Sequence, residues 1–375
     1  MADDDDATAK STLLDKHDAL RLVSSFFPTE WAITDIDAVH AKEITGGFMN
    51  SLQLIWRDTA PVSEPGAILI RHFGKSGSIE EPPSTNMTLS AAQQAVVYWK
   101  MSRRGWGPKI YGCFPGGRLE EYFVDSHTLT AAECLQPDIR SQVAKSYARL
   151  HSLQLPLRRD SGRLLLQQFI ESVQKKREGI LPQLQAVDDP RGVSYAKIFE
   201  RTDWIAELKW VADLFVKHSC KITAIHGDTN HLNVLVKAST ASTTTERIVL
   251  IDYETVAYNY RGFDLGGHFA ERMYCYKQPS TQLSGAALPD EEEMKAFCRE
   301  YLDELRALGL GLDEIDTVEH LMLEARIGRL YHYLFVNMMC TVFDELELEP
   351  VFLETSAHMM GMYERLQGEF LACHR

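Results

Sequence analysis

The sequence predicts an α+β chain of two lobes: a small lobe built on a mostly antiparallel sheet, then a larger, mostly helical lobe. Three observations predict it. Residues 36–125 carry short strand-type runs joined by turn signals, with a single helical stretch among them. Beyond residue 126, apolar residues recur mainly at helical spacing. The chain has 375 residues, 45% of them hydrophobic, which is more than one compact core usually holds. The expected divisions are an acidic tail and helix over 1–35, a first lobe over 36–125 and a helical lobe over 126–375.

In chain order, residues 12–27 place Leu13, Leu14, Leu20, Leu22, Val23 and Phe27 on one apolar face, which predicts a helix. Residues 48–56 alternate in part, and 67–73 form a short apolar run; both read as strands. A helix is predicted near 89–103. The runs 108–114 and 118–124 are joined by Pro115-Gly116-Gly117, a hairpin signal. In the second lobe, Ile139, Val143, Tyr147, Leu150 and His151 share a face of a helix over 138–153. Further helices are predicted over 161–178, 203–218, 262–277, 290–308, 314–341 and 349–371. Residues 222–252 depart from this pattern. Two apolar runs, Asn233 to Lys237 and Arg247 to Ile251, flank the low-complexity stretch Ala238 to Thr245, which predicts a small β-hairpin set among helices.

Composition excludes several function classes. The formal net charge is −14, and an acidic protein repels polyanions, so nucleic acid is not an expected partner. Asp3 to Asp6 read as a solvated tail. No window approaches the roughly 18 apolar residues of a membrane helix, and the acidic N-terminus has no apolar h-region. No stable membrane insertion is expected. Cysteines at 113, 134, 220, 275, 298, 340 and 373 form no Cys-x-x-Cys. Reduced thiols in the cytoplasm follow, against a disulfide framework and against a zinc cage. Lys75 and its Gly-Ser neighbours lack the spacing of a P-loop.

The predicted hairpin carries the chemistry. Its first strand follows His226-Gly227-Asp228-Thr229-Asn230-His231-Leu232-Asn233, and its second ends in Ile251-Asp252-Tyr253-Glu254. Phosphoryl transfer needs one carboxylate to orient an acceptor hydroxyl. It also needs an amide oxygen and a second carboxylate to hold Mg²⁺ against phosphates. Asp228, Asn233 and Asp252 supply that inventory, with Glu254 a fourth oxygen ligand nearby. A hairpin folds Asp252 back beside Asn233.

The ordered pair of motifs, His-Gly-Asp-x-x-x-x-Asn and then Ile-Asp-Tyr-Glu, resembles the catalytic and metal loops of the protein-kinase-like and aminoglycoside phosphotransferases. The run from Ala257 through Tyr258, Arg261, Asp264 and Gly267 to Glu271 narrows this, because it resembles the signature of the choline/ethanolamine kinase family. Ile44-Thr-Gly-Gly-Phe-Met-Asn50 resembles that family's phosphate-covering loop, and Ile68-Leu-Ile-Arg71 its strand with a basic residue. Gly107 to Phe114 and Gly117 to Tyr122 resemble the strands leading to its hinge. The likeness spans roughly residues 40 to 370.

The resemblance implies a protein-kinase-like bilobal fold and an ATP- and Mg²⁺-dependent kinase acting on choline. Asp228 is the implied catalytic base; Asn233, Asp252 and Glu254 are the implied metal ligands. Gly46, Gly47, Asn50 and Arg71 serve the ATP phosphates, and Glu121 and Tyr122 the adenine. Glu271, Tyr276 and Tyr333 face the amino alcohol, whose quaternary nitrogen calls for aromatic faces and negative charge. A homodimer is also open to the chain, although no stretch of sequence marks an interface.

Two departures leave alternatives open. Tyr333, Val336 and Thr255 stand where a fuller aromatic box is usual, which keeps ethanolamine kinase as an alternative. Gln94 stands where a glutamate would pair with Arg71, which leaves Arg71 less firmly oriented and admits a catalytically weak nucleotide-binding pseudokinase. Structural readings apply elsewhere. His226 is expected to be backbone-bonded, Asp264 to brace the loop or cap a helix, and Arg261 to sit in a salt bridge. Tyr331, Tyr333 and Phe335 are expected in the core rather than in a cage, because a buried helix there needs packing.

Overall fold

The computed structural model describes residues 13–44, 50–59, 61–73, 88–238, 246–277, 280–342 and 349–373. The chain divides into two compact units, with the main boundary between Asp125 and Ser126.

The first unit opens with α1 (Lys16–Phe26), capped by the Asp15 side chain. A five-stranded antiparallel sheet follows: β1 (Val39–Ile44), β2 (Asn50–Arg57), β3 (Ala67–Phe73), β4 (Ile110–Phe114) and β5 (Gly117–Glu121), in the order β1-β2-β3-β5-β4. Between β3 and β4 lies α2 (Ala91–Ser102), whose start is fixed by a Ser90/Gln93 capping box. Ala19 and Val23 of α1 pack with Trp31, Val39, Ile55, Ile68, Ile70 and Leu119. The N-terminal helix is therefore part of this unit's core rather than an appendage to it. In the β3–β5 register Arg71 lies opposite Arg118.

The second unit is mostly helical: α3 (Pro137–His151), α4 (Ser161–Gln185), α5 (Pro190–Arg201), α6 (Trp204–Lys217), α7 (Gly262–Glu271), α8 (Glu291–Ala307), α9 (Val318–Val342) and α10 (Pro350–Cys373). Two small sheets are set among them. One pairs β7 (Ile222–Ile225) with β10 (Ala257–Tyr260); the other orders β6 (Ser126–Thr128), β8 (Val234–Lys237) and β9 (Ile248–Leu250) as β6-β8-β9. The β8–β9 hairpin lies where the apolar runs predict it. Sequence periodicity missed α5, which begins with a Pro190 first turn capped by Asp189, and it missed the β7–β10 ribbon. Helix α4 continues beyond the predicted end at 178 because Ile180 and Leu184 prolong its buried face. Helix α7 stops at Glu271, short of the predicted 277. Among the described residues, no helix is long and apolar enough to cross a membrane.

The packing of α7 on α9 is close. A Cβ on Gly328 would lie 1.7 Å from the Gly262 carbonyl oxygen, and one on Gly266 would lie 2.2 Å from the Arg329 nitrogen. Glycines in the 257–271 run thus let two helix backbones touch, which anchors α7 beneath the loops that precede it.

Candidate active site

The site is built at the end of the β8–β9 hairpin. Strand β7 delivers His226 and Gly227, and a short turn over His231–Asn233 leads into β8. The Ile251 amide donates to the Asn233 carbonyl at 2.9 Å, so Asn233 and Asp252 leave the hairpin at the same end. Gly227 has φ +82°, and a Cβ there would lie 2.5 Å from the Thr255 carbonyl oxygen. Glycine is the residue that position accepts. Asp252 is itself left-handed, φ 63°, ψ 68°. A non-glycine residue there is uncommon and costs energy that the surrounding structure must supply.

Asp264, fully buried in the first turn of α7, holds the loop from below. Its Oδ2 accepts from the His226 amide at 2.6 Å and its Oδ1 from the Gly227 amide at 3.0 Å. His151 Nε2 lies 3.0 Å from Oδ2, and His151 Nδ1 lies 2.9 Å from the Tyr301 hydroxyl. The His226 ring bonds the Ile251 carbonyl at 2.9 Å, and the Thr255 hydroxyl donates to the His226 carbonyl at 2.9 Å. His226 is backbone-bonded, Asp264 braces the loop, and Thr255 is engaged with backbone. Arg261 is a buried structural cation, paired with Glu324 and, at 2.6 Å, with Asp316.

Asp228 accepts from the Asn230 amide at 3.1 Å. Solvent reaches its carboxyl, yet protein surrounds it on most sides. That loss of solvation pushes its pKa above the usual carboxylate range; the His226 ring and the Asn230 amide oppose the rise, and the charges of Glu271 and Asp252 add to it. Asp228 thus lies within electrostatic reach of both Asp252 and Glu271.

Glu271 ends α7 and is buried. Its Oε1 accepts from the Tyr276 hydroxyl at 3.2 Å and lies 3.0 Å from His332 Nε2. Its Oε2 has no hydrogen-bond partner among the described residues. Burial and the adjacent Glu271 hold the Tyr276 phenol far above its ordinary pKa, so it stays a donor. Tyr333 is fully buried in the helical core. Tyr331 and Phe335 pack against Phe263, also as core. His332, absent from the sequence-level candidates, is the neighbour of Glu271 that no motif marks.

In the first unit, Asn50 opens β2 and Arg71 lies in β3, while Glu121 ends β5 and Tyr122 follows it. Gly46 and Gly47 lie outside the described residues. Arg71 is firmly oriented despite Gln94. Its Nε donates to Glu120 Oε1 at 2.7 Å, and Arg118 Nε donates to the same oxygen at 2.6 Å. Gln94 Oε1 accepts from Arg118 Nη1 at 2.8 Å. The acid comes from the neighbouring strand and Gln94 supports Arg118 beside it, so the expected weak orientation of Arg71 is corrected. Burial pushes the Glu120 carboxyl up, but Arg71 and Arg118 more than offset it and hold it at about 2.

The family model for choline/ethanolamine kinase matches residues 41–349. The chain belongs to the choline/ethanolamine kinase family. It is similar to choline kinase alpha of Mus musculus, 26% identical over 340 residues, covering 83% of this chain and 71% of the relative. The fold is similar to the crystal structure of a choline kinase from Cryptosporidium parvum Iowa II, with a TM-score of 0.69 and 19% identity, covering 96% of this chain and 97% of that one. It is also similar to a spectinomycin phosphotransferase solved with ADP and spectinomycin, at a TM-score of 0.52 and 13% identity, over 87% and 94% of the two chains. At such identities the structures show the fold, which is protein-kinase-like. Membership of the choline/ethanolamine kinase family makes this chain a kinase.

Proposed function

We propose that this kinase transfers the γ-phosphate of ATP to the hydroxyl of choline, with Mg²⁺ as cofactor, to give a phospholipid precursor in the cytoplasm. One observation carries the reading. Asp228 lies within electrostatic reach of both Asp252, at the end of the hairpin, and Glu271, with its unpartnered oxygen. An amino alcohol has a hydroxyl at one end and a cation at the other. With the hydroxyl at Asp228, the cation falls on the Glu271 side, where negative charge and the Tyr276 ring suit a quaternary nitrogen.

Hard oxygen donors suit Mg²⁺, and Asn233, Asp252 and Glu254 present an amide and two carboxylates at one hairpin end. Bound there, the ion supplies positive charge against the phosphates. Asp228 orients the acceptor hydroxyl and takes up its proton as the oxygen attacks in line, for which its raised pKa is suited. Arg71, held by Glu120, serves as a fixed cation for ATP phosphate, with Gly46, Gly47 and Asn50 in the covering loop and Glu121 and Tyr122 toward adenine. Tyr276, bonded to Glu271, keeps that carboxylate placed. Tyr333 supports the acceptor end from within the core rather than lining it.

The test is ADP release across a panel of amino alcohols, with and without Mg²⁺. Choline is expected to be turned over in a Mg²⁺-dependent way and to be preferred to ethanolamine by more than a few-fold. A preference for ethanolamine would move the acceptor assignment. No Mg²⁺-dependent turnover with any member of the panel would refute the kinase mechanism.

A further inference from the structure

Three buried metal-capable side chains meet in the second unit, and none of them is one of the oxygen donors described above. Cys134 lies on the turn before α3, His231 in the loop between Asp228 and Asn233, and His268 on α7. One ligand atom from each lies within 4.8 Å of the others. Cys134 Sγ is 4.0 Å from both His231 ring nitrogens, and the two imidazole centroids are 5.1 Å apart. All three side chains are at least nine-tenths buried, and His268 Nδ1 has no hydrogen-bond partner among the described residues. The cluster is the one such grouping of His, Cys and acidic side chains among the described residues.

We infer that Cys134, His231 and His268 form a site for one Zn²⁺-class ion, which clamps the 228–233 loop to α7 and to the turn before α3. Thiolate and imidazole are the donors that such an ion prefers, whereas Mg²⁺ prefers oxygen. In a tetrahedral zinc site, bonds of about 2.3 Å to sulfur and about 2.0 Å to nitrogen put neighbouring ligand atoms roughly 3.3–3.6 Å apart. The three side chains need to close by up to about 1.5 Å. A second shell is present. His231 Nε2 lies 3.4 Å from the His268 carbonyl, which leaves Nδ1 for the ion. Tyr147 and Phe297 pack on the His268 ring and exclude water. Arg272 is the nearby cation that opposes a metal, and Glu293 pairs with it at 3.1 Å. Binding replaces the thiol proton of Cys134 with the ion, and that proton leaves to solvent. Three protein ligands leave a fourth position for a water or a backbone oxygen.

The sites are separable because the donors differ. Purified full-length protein is equilibrated with Zn²⁺ in excess Mg²⁺, freed of loose metal, and its zinc content measured. One Zn²⁺ per chain is expected, with affinity reduced at least about tenfold in Cys134→Ala and in His268→Ala. Unmodified protein titrated with Co²⁺ provides a readout that needs no variant, and a thiolate-to-cobalt charge-transfer band is expected. Three results would overturn the site: no zinc retained against Mg²⁺, affinity unchanged in Cys134→Ala, or cobalt bound with no thiolate band. Zinc binding lost in Asp252→Asn but kept in Cys134→Ala would assign the ion to the oxygen site instead.

Discussion

The amide of Gly227 donates to Asp264 Oδ1 at 3.0 Å. With the His226 amide on Oδ2, this bond sets the backbone from which Asp228 projects. Asp264 is a positioning residue, since it touches the loop and not the acceptor. Asp264→Asn turns one acceptor into a donor that faces an N–H, at a local cost of about 1–3 kcal/mol. We expect kcat to fall about tenfold to a hundredfold while KM for ATP stays within a few-fold. Steady-state kinetics, with circular dichroism to confirm folding, checks this; an unchanged kcat would remove the brace.

Gly227→Ala should be worse for activity than its size suggests. The residue is left-handed, and the new methyl would meet the Thr255 carbonyl at 2.5 Å. The loop must shift, and Asp228 with it. A loss of at least about tenfold in kcat/KM is expected, together with a lower melting temperature. Near-native kinetics would show that the loop tolerates the shift.

Glu120 makes the first unit sensitive to acid. Its folded pKa lies below its ordinary value, so the stability it contributes is present above the ordinary pKa and is lost as pH falls toward the folded one. From 4.5 down to about 2, this amounts to at most about 3 kcal/mol. Glu120→Gln should be less stable at neutral pH by about 3–5 kcal/mol, because Arg71 and Arg118 are left facing each other. Its stability should also vary less between about pH 5 and pH 3 than that of the unmodified chain. Urea melts at both pH values distinguish the cases, and parallel pH profiles would contradict the assignment.

Arg261 predicts a stability effect without a chemical one. Glu324→Ala leaves a buried guanidinium with Asp316 as its remaining acidic partner. A loss of about 3–5 kcal/mol is expected, with activity per folded molecule preserved. Thermal melting and active-site titration separate the two quantities.

Much of this was legible in the chain. The hairpin, with Asn233 and Asp252 at one end of it, was readable because strand runs and loop motifs are local. The backbone bonding of His226 and the bracing role of Asp264 were also expected, although their partners lie 25 and 38 residues away. What escaped is non-local. Glu120 replaces the expected partner of Arg71 from the next strand, a substitution that register shows and spacing does not. His332 reaches Glu271 across 61 residues, and Cys134 reaches His231 across 97. The missing Cys-x-x-Cys pattern argued against a zinc cage, but a cluster assembled from three distant segments needs no such pattern.

The most direct measurement compares Asp228→Ala with the unmodified chain for both turnover and Mg·ATP binding. Turnover with choline should fall at least about a thousandfold, while the Kd for Mg·ATP stays within a few-fold. Turnover retained within tenfold would mean that the hydroxyl is activated elsewhere, and the assignment of Asp228 as the base would be wrong.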